Sequence, residues 1–244
     1  MYKQTNLYVR KTLIKGIVYN FYFSDLSKPW IILLSGLPQY IFKQNYLKTL
    51  IETYSIIAPY YPGSFHSYKR FSLNNILQTT NETIKLIENG EIYDYFENKK
   101  YKISNNNIDW IFGLSFGANV LFDFLLKKDK DYLPNTKFLL VSPMFNVSQD
   151  KQRLYWKQKL SFLSSKVYSN IYRGINDLEL ITWFSGLEQS ITQEKNGIVL
   201  YGREDIYIDK FFLKEKFPNF KIIPVNGYSH EVDKLVEYFI PYLK

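Results

Sequence analysis

Ile108-Asp109-Trp110-Ile111-Phe112-Gly113-Leu114-Ser115-Phe116-Gly117-Ala118-Asn119-Val120-Leu121-Phe122-Asp123-Phe124-Leu125-Leu126 is the stretch from which the fold is read. Its first five residues form a short apolar run of the kind that buried strands carry. Its last nine, from Ala118, read as a helix. Between them stands Gly113-x-Ser115-x-Gly117. Such a pentapeptide between a strand and a helix makes a turn too sharp for bulky flanking residues. It lifts the serine hydroxyl above the sheet edge and aims the helix N-terminus at it. Without that context the pattern is a weak signal, open to a second reading as a glycine-rich turn whose serine caps the helix. The strand before and the helix after make Ser115 the candidate nucleophile.

Elsewhere, apolar runs alternate with helical spacing. Asn6 to Arg10 and Ile17 to Phe23 carry β-branched and aromatic residues around Lys15-Gly16, which predicts an antiparallel hairpin. Trp30 to Leu34 is continuously apolar, as a strand covered on both faces must be. Residues 40–54 show helical spacing, Ser55 to Pro59 reads as a strand, and 72–89 reads as a helix stopped by Asn89-Gly90. Residues 91–107 read as a peripheral segment with a helical first part. Lys99-Lys100-Tyr101-Lys102 is there read as a linker or helix end. Phe138 to Pro143 and Gly197 to Tyr201 are further strands. The roughly 50 residues between them exceed a simple crossover. Residues 146–174 read as a helical insertion and 176–192 as the crossover helix. A strand at Lys221 to Val225 and a helix from Glu231 to Leu243 close the chain. Strands and helices alternating after an antiparallel start predict one α/β domain over 1–244 with a doubly wound, mostly parallel sheet.

Composition bounds the chemistry. With 46% hydrophobic and 18% aromatic residues among 244, the chain can bury a sizeable core. It has no cysteine, so it has no disulfide, thiol nucleophile or thiolate metal site. Two histidines, His66 and His230, are too few for a typical zinc site. The expectation is no metal and no cofactor. The first 20 residues hold no apolar core behind a basic start, and the most apolar run, Trp30 to Pro38, is too short to span a bilayer. A soluble, cytoplasmic protein without stable membrane insertion is expected. The formal charge is +8 and the pI about 9.2. The lysines are scattered through a chain rich in Lys, Asn, Ile and Tyr, a compositional bias and not a basic stripe. No nucleic-acid partner is expected.

A serine hydroxyl is a poor nucleophile at neutral pH and needs a base, which in turn needs an orienting acid. His230 follows the last strand and precedes the last helix, on the same sheet edge as Ser115, and is the candidate base. His66 also follows a strand on that edge, as a rim residue or a substrate contact. The acid is expected after a strand between Ser115 and His230. Tyr201-Gly202-Arg203-Glu204-Asp205 fits. Asp205 is the first choice, with Glu204 its nearest rival and Asp209 a weaker one. An oxyanion hole needs one N–H from the residue after the nucleophile and one from the loop after an earlier strand. The first is Phe116. In Gly36-Leu37-Pro38 the proline has no N–H, which leaves Leu37, with Gly36 as the second choice.

At this point the chain resembles the α/β-hydrolases over nearly its whole length. The matching residues are Leu34-Ser35-Gly36-Leu37-Pro38, where many members carry His-Gly-x-Pro, and Ala58-Pro59-Tyr60-Tyr61-Pro62-Gly63-Ser64, similar to the family's loop after that strand. The Gly113–Gly117 elbow, Gly202-x-x-Asp205 and Gly227-x-x-His230 match as well. Ser35 stands where a histidine is usual, and Tyr60 where an aspartate is frequent. A serine at 115 argues against the branches that resemble haloalkane dehalogenases and epoxide hydrolases, which use aspartate there. The insertion at 146–174 resembles the family's helical cap in position. The resemblance implies a serine hydrolase of the esterase, lipase or thioesterase kind, with a small-molecule acyl ester or thioester as substrate. A catalytically silent binding protein on the same scaffold, and an acyltransferase or amidase with the same triad, are the alternatives.

Overall fold

The computed structural model describes residues 8–37, 45–64, 67–95, 98–129, 131–144, 189–192 and 195–243. The chain opens with β1 (Tyr8–Ile14) and β2 (Ile17–Phe23), an antiparallel pair in which Ile14 faces Ile17 across Lys15-Gly16. It continues through β3 (Trp30–Leu34), α1 (Asn45–Leu50), β4 (Ser55–Pro59) and α2 (Leu73–Glu88). A small hairpin of β5 (Glu91–Asp94) and β6 (Lys99–Lys102) precedes β7 (Ile108–Leu114), α3 (Phe116–Leu126) and β8 (Lys137–Val141). Further along come β9 (Gly197–Gly202), α4 (Lys210–Lys216), β10 (Lys221–Val225) and α5 (Val232–Phe239), which tightens into a 3-10 turn at Ile240–Tyr242.

Among the described residues eight strands form one sheet in the order β1-β2-β4-β3-β7-β8-β9-β10. β1, β2 and β4 pair antiparallel, and every pair from β4 to β10 is parallel. From β3 the chain first moves to one side, to β4. It then returns past β3 to β7 on the other side. The order therefore reverses between β3 and β7, and the carboxyl ends of those strands flank the crevice where ligands bind in open α/β sheets.

Period-two alternation divides the strands between two cores. Trp30, Ile32 and Leu34 of β3 join Phe138 and Leu140 of β8 under α2, α3 and α4. Ile31 and Leu33 join Leu139 and Val141 on the opposite face, under α1 and α5. A central parallel strand must be apolar on both faces, and these are. α3 is buried from Phe116 through Leu125, as a helix apolar all round must be.

Four readings need correction. Residues 91–94 and 99–102 are strands and not a helix or linker. Glu91-Ile92-Tyr93-Asp94 alternates exposed and buried, a period of two, with Ile92 in the core. β1 runs on to Ile14, beyond the expected end at Arg10, because its ladder with β2 continues to the turn. α4 was not expected. It is short, and Asp209 caps it by accepting from Phe211 N and Phe212 N. The final helix ends at Phe239, not Leu243, since Pro241 cannot continue the α-helical bonding. The insertion at 146–174 and most of the 176–192 helix lie outside the described residues; 189–192 are irregular.

Candidate active site

Ser115 occupies the corner between β7 and α3 with φ 51 and ψ −113, a conformation that non-glycine residues seldom adopt. Holding it costs on the order of 1–3 kcal/mol. The surrounding backbone enforces it. Ser115 N donates to Val141 O at 2.8 Å, while Ser115 O accepts from Ala118 N at 2.9 Å. A Cβ added at Gly117 would lie 2.0 Å from Leu34 O and 2.7 Å from Ser35 O. The first turn of α3 therefore rests directly on the backbone at the end of β3, and only glycine permits it. The side chain of Ser115 makes no capping bond to α3, so the helix-cap reading of this serine does not hold.

The hydroxyl instead faces His230. Ser115 Oγ lies 3.0 Å from His230 Nε2, across 115 residues of sequence. His230 Nδ1 lies 2.7 Å from Asp205 Oδ2. The Asp205 side chain is fully buried and that of His230 is 18% exposed. The remaining Asp205 oxygen, Oδ1, accepts from Tyr207 N at 3.0 Å, and the Tyr207 ring packs edge-on against the imidazole with centroids 5.7 Å apart. A carboxylate fixed at both oxygens holds the ring nitrogen nearest it as a donor and leaves Nε2 to take a proton.

The two rival carboxylates have other work. Glu204 accepts from Gly227 N at 2.9 Å, and that bond holds its carboxyl below the usual carboxylate range. Asp209 caps α4. The loops carrying Asp205 and His230 also touch through backbone: Glu204 N donates to Tyr228 O at 3.1 Å. A Cβ on Gly202 would fall 2.2 Å from Tyr228 O and 2.3 Å from Ser229 O. Gly202 lets the loop after β9 come close enough to present Asp205 to His230.

On the opposite side, a Cβ on Gly36 would sit 3.3 Å from both Leu114 O and Ser115 Cβ, so the loop after β3 borders Ser115. Leu37 follows it, packed against the core. Tyr61 Oη donates to Ser35 O at 2.5 Å and pins this loop from below. Phe116 opens α3, and its N–H lies in the first turn, where amides point out of the helix end. Its ring stacks edge-on with Tyr61 at 5.3 Å and beside Phe71 at 6.1 Å. Tyr61, Tyr207, Asn119 and Met144 are site neighbours that sequence reading missed. Tyr61 alone had a signal, in the matched loop after β4. His66 lies outside the described residues. Among the described residues no group of three or more His, Asp or Glu could hold a metal, and no helix is long and apolar enough to cross a membrane.

No protein-family model and no curated protein matches this sequence. Solved structures do resemble it in three dimensions. A soluble variant of monoglyceride lipase from Saccharomyces cerevisiae is 12% identical, with a TM-score of 0.64 over 99% of this chain and 95% of its own. Epoxide hydrolase from Vigna radiata is 10% identical, with a TM-score of 0.66 over 100% and 98%. A carboxylesterase from the thaumarchaeon Nitrososphaera gargenis is 10% identical, with a TM-score of 0.60 over 96% and 97%. Sheet order, the elbow at the β7–α3 corner and these likenesses agree: the chain has the α/β-hydrolase fold.

Proposed function

We propose that this chain is a serine hydrolase that cleaves a carboxylic ester or thioester through an acyl-enzyme on Ser115. One observation carries the reading: Ser115 Oγ lies 3.0 Å from His230 Nε2, and His230 Nδ1 lies 2.7 Å from the buried Asp205. In the first half-reaction Ser115 Oγ attacks the acyl carbonyl carbon and His230 Nε2 takes its proton. The tetrahedral oxyanion is held by the N–H groups of Phe116 and Leu37. It collapses by breaking the bond to the leaving alcohol or thiol, which receives the proton from His230. In the second half, water attacks the carbonyl carbon of the acyl-enzyme while His230 Nε2 removes its proton. The second tetrahedral oxyanion collapses by breaking the acyl–Oγ bond, Ser115 Oγ takes the proton back from His230, and the acid departs. Asp205 keeps the imidazole in the tautomer that accepts at Nε2 throughout. The lipase and carboxylesterase among the similar structures support this reading by analogy of fold.

A fluorophosphonate probe tests it. Ser115 of the wild type is expected to be labelled, Ser115→Ala is expected to be inert, and an unlabelled wild type overturns the proposal in favour of a silent binding scaffold. Product analysis with p-nitrophenyl esters in the presence of added alcohols or amines separates a hydrolase, which releases the free acid, from an acyltransferase, which does not.

A further inference from the structure

Asn119 stands one helical turn beyond Ser115 on α3 and is fully buried. Asparagine is a poor choice there, because its amide competes with the helix backbone and a buried unpaired amide is costly. Here both ends of the amide are used. Nδ2 donates to Met144 O at 2.6 Å, and Oδ1 accepts from Met144 N at 2.9 Å. The two bonds tie α3 to the segment that leaves β8. That segment turns sharply, with Ser142 at φ 46 in the left-handed region. The hydroxyl of Ser142 is buried and has no hydrogen-bond partner among the described residues, which leaves the turn to its backbone and its neighbours. Ser142 N donates to Leu200 O at 2.8 Å at its start, and the Asn119 amide secures its end.

The product of this clamp is the position of Met144 Sδ, 3.8 Å from Ser115 Oγ. Met144 is 2% exposed. The chain has two methionines and no cysteine, so the sulfur beside the nucleophile is the only one apart from Met1. An atom this close to Oγ is within van der Waals reach of the acyl carbon once that carbon is bonded to Oγ. A thioether is also a weak acceptor, which leaves the serine proton to the imidazole.

We infer that Met144 forms the wall of the acyl site beside the nucleophile, that Asn119 is the positioning residue holding it there, and that the pair sets selectivity between linear and branched acyl groups. The inference rests on the serine-hydrolase reading above. Linear acyl groups pass the slim, unbranched thioether. Groups branched at the carbon next to the carbonyl meet it.

The test compares kcat/KM for p-nitrophenyl acetate and p-nitrophenyl trimethylacetate. Met144→Ala is expected to raise the trimethylacetate-to-acetate ratio roughly tenfold. Met144→Leu, which conserves volume, is expected to move it less. Met144→Gln puts a strong acceptor near the hydroxyl and is expected to lower kcat more than it changes KM. Asn119→Ala is expected to shift the ratio in the direction of Met144→Ala, and to shift it no further when Met144 is already Ala. An unchanged ratio in Met144→Ala overturns the assignment of Met144. A shift of equal size in both backgrounds overturns the positioning role of Asn119, since a merely structural loss would not depend on residue 144. Should Asn119→Ala fail to fold, Met144→Ala decides the acyl wall by itself. Fluorophosphonate labelling runs alongside: an unlabelled wild type overturns the hydrolase reading, whereas a labelled wild type with unchanged ratios overturns only this inference.

Discussion

Around Ser115, the backbone at the end of β3 meets the first turn of α3 with no side chain between them, beside the rings of Phe116, Tyr61 and Phe71. Around His230, two loops meet at the rim, tied by polar contacts from the exposed Glu204 and Gly227. Both halves use glycine for a backbone approach, Gly113 and Gly117 in the first and Gly202 in the second. Their surroundings differ. Ser115 is placed by close packing, which cannot give way without moving the core. Asp205 and His230 are placed by hydrogen bonds between loops, where a misfit can be absorbed by shifting a loop. Damage to the first half should therefore register in stability as well as activity, and damage to the second chiefly in activity.

The largest effect is expected at the acid. Asp205→Asn keeps the shape but holds His230 in the wrong tautomer, and kcat should fall about 10³–10⁴-fold with the thermal midpoint nearly unchanged. A loss confined to Glu204→Gln instead would reassign the acid. The paired glycines sharpen the comparison next. Gly202→Ala should cost on the order of 10² in kcat/KM by displacing Asp205 or His230, with a smaller fall in midpoint than at Gly117. Gly117→Ala should in addition lower the midpoint by roughly 5–10 °C, the scale of an overpacked core in a domain of this size. Equal midpoints for the two alanine variants would break the distinction between packed and tethered halves.

Smaller is the expected effect of Tyr61→Phe, which removes the bond to Ser35 O and leaves a buried carbonyl short of a donor. A loss of about 1–2 kcal/mol is expected, seen in the midpoint and in kcat, with KM for a short ester little changed. The smallest effect belongs to Glu204. Its carboxyl is held below the usual range by the Gly227 N–H. A depressed value in the folded state means the tether contributes above the ordinary carboxylate range and is lost as pH falls through the lowered value. Between wild type and Glu204→Gln, whose amide oxygen accepts at any pH, the difference in midpoint should therefore change only on acidification into that range.

Some of this was legible in the residues and some was not. β2, β3, β4 and β10 were legible because each is a compact apolar or β-branched run with clear turn residues at its ends. β5 and β6 were not, because four-residue strands with a period of two are easily outweighed by the charges of Lys99-Lys100-Tyr101-Lys102. α4 is seven residues long and has no extended stripe to reveal it. Ser115 stood out by its local motif, and His230 by scarcity, since it is one of only two histidines. Neighbouring Glu204 and Asp205 are chemically alike, so only the direction each takes from the loop separates a tether from a ligand of the imidazole.

Short-range physics encodes the alternation of strands and helices, the sharp turn at Gly113–Gly117, and the short roster of groups able to act as nucleophile, base or acid, and these are readable from the residues. Which of those groups meet is set by the folded chain. Ser115 and His230 are 115 residues apart, His230 and Asp205 25 apart, and Asn119 and Met144 likewise 25 apart. No local propensity bears on such distances. They are closed by the order of the strands in the sheet, which brings the carboxyl ends of β3, β7, β8, β9 and β10 to one edge, and by glycines that let the backbones touch there.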